Sequence, residues 1–60
     1  MKAIIIEDEL LIAKELQYKI ARIAPDVTIV EHLTSLKTAN KWFLNHAEPD
    51  LLFMDIQLGD

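Results

Sequence analysis

Three carboxylates in this 60-residue chain stand where two apolar runs stop. Ile4-Ile5-Ile6 runs into Glu7-Asp8, and Leu51-Leu52-Phe53-Met54 runs into Asp55. Both runs are continuous rather than alternating and rich in branched side chains, the pattern of a strand buried on both faces. The acids then fall at strand carboxyl ends, the edge where open parallel sheets bind ligands. If the two strands are neighbours, the three groups converge. Like charges that close cannot all stay ionised without a cation, and carboxylate oxygens suit a hard divalent metal such as Mg²⁺. Asp55 also suits nucleophilic attack on phosphorus, since carboxylates form acyl phosphates. An Asx-turn would explain a lone Asp55 equally well. The two further acids tip the balance toward chemistry.

The bland account of Glu7-Asp8-Glu9 is a solvated acidic stretch at a helix N-terminus, where the dipole favours negative charge. It explains one acid, Glu9, better than three. Adjacent residues at a strand end point in opposite directions, so Glu7 and Asp8 should take different roles, one reaching a metal only through water. His32 and His46 belong to no pair at metal-ligand spacing. His46 is expected to meet the carbonyls at a helix end. Trp42 and Phe43, at helical spacing, read as core. With one glycine in the chain, Gly59, the loops that cradle dinucleotides or nucleoside triphosphates are excluded.

Positioning these acids requires an ordered set of elements. After Glu9, Ala13, Leu16, Ile20 and Ile23 are spaced for one face of a helix spanning 10–24, ended by Pro25-Asp26. Glu15 and Lys19 support it at i,i+4. The β-branched stretch 27–30 predicts a second strand. Thr34 or Ser35 can cap a second helix carrying Leu36, Ala39, Trp42 and Phe43 on one face. Asn45 to Asp50, with Pro49, breaks it before the third strand, 51–56. The order is βαβαβ, which implies an α/β fold with a parallel sheet and right-handed crossovers.

The composition sets limits. The chain is 52% hydrophobic, with one Gly and two Pro, and is built to bury a core. It has no cysteine, so no disulfide supports it, which is compatible with a reducing cytoplasm. A net charge of −4 disfavours nucleic acid or an anionic membrane as a direct partner. No apolar run is long enough to span a bilayer, and neither a signal peptide nor an anchor is read. Residues 1–60 are expected to be the N-terminal part of a larger domain, cut after its third strand, whose open edge needs covering by further strands or by a second copy in a homodimer.

Taken together, Ile4-Ile5-Ile6-Glu7-Asp8-Glu9 and Leu51-Leu52-Phe53-Met54-Asp55, at this separation, resemble the receiver domain of two-component response regulators. The stretch Asp55-Ile56-Gln57-Leu58, with Asp60 shortly after, looks most like receivers joined to LytTR-type DNA-binding domains. The resemblance implies the first half of a flavodoxin-like, doubly wound parallel sheet in a cytoplasmic signalling protein. It implies that Asp55 accepts a phosphoryl group from a sensor histidine kinase. Asp8 and Asp55 would bind Mg²⁺ through their side chains, Gln57 through its backbone carbonyl, and Glu7 through a metal-bound water. An output domain, DNA-binding and regulating transcription, would lie beyond these residues.

The chain departs from the family pattern at Glu7, where Asp is commoner, and at Leu10 and Gly59, where Pro is frequent. The family's switch hydroxyl and its lysine belong to later strands that these 60 residues do not include. On this reading the chain is a switch rather than an enzyme. The alternative is a Mg²⁺-dependent phosphatase or phosphotransferase of the haloacid dehalogenase type, which also places a nucleophilic Asp after an apolar strand. That motif has a second Asp two residues on, where Gln57 stands here, and it leaves Glu7-Asp8 unexplained.

Overall fold

Ile4, Ile5 and Ile6 are the largest fully buried side chains among the described residues. Their strand has a neighbour on each edge and a helix on each face. The structure, a computed structural model, describes residues 1–54; 55–60, which include Asp55, Gln57 and the last two residues expected in the third strand, lie outside the described residues. The elements are β1 (Lys2–Ile6), α1 (Leu10–Ile23), β2 (Thr28–Leu33), α2 (Leu36–Asn45) and β3 (Leu51–Met54). They form a three-stranded, fully parallel sheet in the order β2-β1-β3. This is the βαβαβ order that the apolar runs and helical spacings predict.

The pleat sorts β1 onto two cores. Ile5 joins Ala13 and Ile20 of α1, with Leu16, Val27, Ile29 and Phe53 packed against them. Ile4 and Ile6 join Leu33 and Ala39 of α2, with Trp42 and Phe43 alongside. The two helices therefore cover opposite faces, as alternating side chains demand. The chain leaves β1 for one neighbour and then crosses back to the other, so helices on opposite faces give both crossovers the same hand. One consequence is that sheet growth reverses direction between β1 and β3.

One boundary and one face assignment differ from the sequence reading. β2 starts at Thr28 and continues through Glu31 and His32 to Leu33, past the β-branched stretch. It lies at one edge of the sheet, where a polar residue can face water without cost. Ile23 is 82% exposed rather than part of the buried stripe of α1. At about 100° per residue it stands about 60° beyond Ile20 around the helix, off the face that Ala13 and Ile20 present.

Ser35 caps α2: its hydroxyl accepts the Thr38 N–H at 3.1 Å and lies 2.8 Å from the Thr38 hydroxyl oxygen. Ser35→Ala should therefore cost about 1 kcal/mol of stability. The change is read as a lower urea midpoint at unchanged slope. Ser35→Asp, which keeps an accepting oxygen, should hold the midpoint near wild type.

Candidate functional site

The carboxyl ends of β1 and β3 lie side by side. At the far end, the Asp50 N–H donates to the Lys2 carbonyl at 2.8 Å and the Asp50 carboxylate accepts the Lys2 N–H at 2.8 Å. That reciprocal pair starts a ladder in which Ala3, Ile4, Ile5 and Ile6 face Leu51, Leu52, Phe53 and Met54. The next residue in sequence is Glu7 on one strand and Asp55 on the other. The expected neighbourhood of the two apolar strands is thus present as far as the described residues reach. Asp55 and Gln57 themselves lie outside them.

Glu7 and Asp8 part company, as opposite directions at a strand end require. Glu7 is 7% exposed, the one buried charged residue among those described, whereas Asp8 is exposed. A buried carboxylate needs hydrogen bonds, and Glu7 Oε1 accepts the Glu9 N–H at 3.0 Å. Glu9 is the N-cap of α1 but caps nothing with its own side chain. Glu7, two residues earlier, bonds the backbone there instead. The backbone of Glu7 is tied to β2: its N–H donates to the Leu33 carbonyl at 2.9 Å. No buried side-chain oxygen or nitrogen among the described residues lacks a hydrogen-bond partner.

Beside these acids, on the α1 face, is a cleft of about 220 Å³ lined by Ile5, Ile6, Glu7, Leu16, Phe53 and Met54. Among the described residues, its only charged lining residue is Glu7. Larger clefts, of about 320 and 410 Å³, gather around Glu48 and Pro49, by the amino-terminal ends of β1 and β3. Size favours those, but chemistry favours the smaller one. It lies at the strands' carboxyl ends, where the order of the sheet reverses, which is where ligands enter open α/β sheets.

Neither histidine is free. His46 Nδ1 lies 2.8 Å from the Trp42 carbonyl, with its ring stacked on the indole at 4.2 Å between centroids and 6° between planes. That is the helix-end role its position predicts. His32 reaches the candidate site: its Nε2 lies 2.8 Å from the Glu7 carbonyl oxygen. Sequence reasoning missed this contact, because the partner is a backbone atom 25 residues away and no residue-type spacing encodes it.

No group of three or more His, Cys, Asp or Glu side chains among the described residues is placed to hold a metal ion. The described members of the expected set, Glu7 and Asp8, nonetheless offer the donors Mg²⁺ takes: hard oxygens from one or two carboxylates, with water completing the shell. No helix among the described residues is long and apolar enough to cross a membrane. Comparison with protein-family models, curated proteins and solved structures finds no match for this chain.

Proposed function

We propose that residues 1–60 are the first half of a flavodoxin-like receiver domain of a two-component response regulator, with Asp55 as phosphoacceptor. The observation that carries this reading is the parallel pairing of Ile6 with Met54. It brings the strand that ends in Glu7-Asp8 beside the strand that leads into Asp55. The order β2-β1-β3 supports it, since a flavodoxin-like sheet opens with strands 2-1-3 and binds its ligand between β1 and β3.

In the proposed reaction an Asp55 carboxylate oxygen forms a bond to phosphorus as the P–N bond of a kinase phosphohistidine breaks. The electron pair of that bond stays on the imidazole nitrogen, which takes up a proton. Mg²⁺, when bound, would offset the charge on the phosphoryl oxygens and on the clustered acids. Asp8 would hold it directly and Glu7 through water, joined by Asp55 and the Gln57 carbonyl. The chain consumes its own carboxylate in this step and is a switch, not a turnover enzyme. A DNA-binding output domain, beyond these residues, would read the switch in the cytoplasm.

The test is acetyl phosphate with Mg²⁺ on the full-length protein, followed by intact mass. One phosphoryl group, removed by hydroxylamine as an acyl phosphate and absent when EDTA is added, is the expected result. No uptake, or a label that survives hydroxylamine, overturns the reading.

A further inference from the structure

His32 carries a role that its residue type does not announce. It is half-buried at the penultimate position of β2. The register of β1 against β2 shifts between Ala3 and Ile4, skipping Val30, so His32 faces Ile5 and Leu33 faces Ile6. Without that bulge the ladder would carry His32 opposite Ile6, and every side chain beyond it would change faces. The shift puts Leu33 into the α2 core and leaves His32 beside the end of β1.

There the imidazole meets the Glu7 carbonyl oxygen at 2.8 Å. A carbonyl can only accept, so Nε2 carries the proton. β2 thereby holds both backbone polar groups of Glu7, the N–H through the Leu33 carbonyl and the C=O through His32. The held oxygen belongs to the Glu7–Asp8 peptide plane, whose far corner is the Asp8 Cα. Because that unit is rigid, holding its oxygen restrains where the Asp8 Cα stands, and only the Asp8 φ and χ1 torsions remain between that anchor and its carboxylate.

We infer that His32 is a positioning residue for the acid pair, orienting Asp8 toward a divalent cation without touching the cation itself. This rests on the receiver reading above. Groups that hydrogen-bond a ligating side chain typically change metal affinity by about 10- to 100-fold when removed, and His32, acting one peptide bond further out, should fall at the lower end. A glutamine at the same position also carries a side-chain N–H at the end of a chain of similar reach, and should serve as the conservative replacement.

The experiment uses the full-length protein and three forms: wild type, His32→Ala and His32→Gln. Mg²⁺ is titrated while the Asp8 amide resonance is followed, and phosphoryl uptake from acetyl phosphate is measured at saturating Mg²⁺. Thermal unfolding of each form separates loss of fold from loss of position. The expected result is Mg²⁺ binding weakened about 10-fold in His32→Ala and largely restored in His32→Gln. The long-range nitrogen spectrum of the wild-type imidazole should show the Nε2–H form. Unchanged Mg²⁺ affinity in a folded His32→Ala protein overturns the positioning role and leaves the receiver reading standing. So does a folded His32→Gln protein as impaired as His32→Ala. A wild-type protein that neither binds Mg²⁺ nor takes a phosphoryl group overturns the receiver reading, and the role of His32 with it.

Discussion

Asp55→Asn should abolish phosphoryl uptake from acetyl phosphate, while Asp60→Asn should leave it at the wild-type level. The amide keeps the size and shape of the carboxylate but removes its charge and its nucleophilic oxygen. It also removes one of the proposed side-chain donors to Mg²⁺, so binding and chemistry fail together. Asp60 is five residues further on and does not directly follow the apolar run. Intact mass of the three proteins, at equal Mg²⁺ and equal time, reads the outcome. Equal labelling of Asp55→Asn would move the acceptor elsewhere, and loss of label in Asp60→Asn would show that the acid after the strand is not sufficient.

Ile5→Ala should have the largest effect on stability, about 2 to 5 kcal/mol. Ile5 is fully buried between Ala13 and Ile20, with Leu16, Val27, Ile29 and Phe53 packed around that cluster. It lies on the central strand, so no neighbour can collapse into the gap without disturbing a ladder on either side. Leu11, 77% exposed on α1, is the control. Leu11→Ala should stay within about 0.5 kcal/mol of wild type. Urea unfolding of the full-length protein separates the two, with a shifted midpoint for Ile5→Ala and none for Leu11→Ala. Equal shifts would mean that the sheet is not sandwiched between the helices as described.

The order of elements was readable from the residues because hydrophobic period changes cleanly along the chain. Isoleucine runs mark β1, the Ala13–Leu16–Ile20 spacing marks α1, and the capping pair Thr34-Ser35, of which the structure uses Ser35, marks the start of α2. The role of His46 at the helix end was readable for the same local reason. Strand order does not follow from hydrophobic period; the expectation that the first and third strands are neighbours rested on their strand-end acids and the family resemblance, and the β1–β3 ladder agrees with it. The end of β2 was missed because Glu31 and His32 break the apolar pattern, which an edge strand tolerates. At the site, the different surroundings of Glu7, which is buried, and Asp8, which is exposed, agree with side chains that leave a strand end in opposite directions. What could not be read is that Glu7 bonds the backbone at the start of α1, or that His32 holds its carbonyl, because both bonds involve backbone atoms.

The proposed receiver function requires a divalent cation to bind where β1 and β3 end. Lys2 opens β1 and Glu7 directly follows it, five residues on, about 16 Å at roughly 3.3 Å per residue. The two ends of the sheet are therefore well separated for a short-range probe. Mn²⁺ added in place of Mg²⁺ to the full-length protein broadens the amide resonances nearest the ion. Glu7, Asp8 and Met54 should broaden first, Lys2, Asp50 and Leu51 should persist, and excess Mg²⁺ should restore the lost signals. Broadening centred on Glu48 to Asp50, or spread evenly over the sheet, would contradict cation binding at that end.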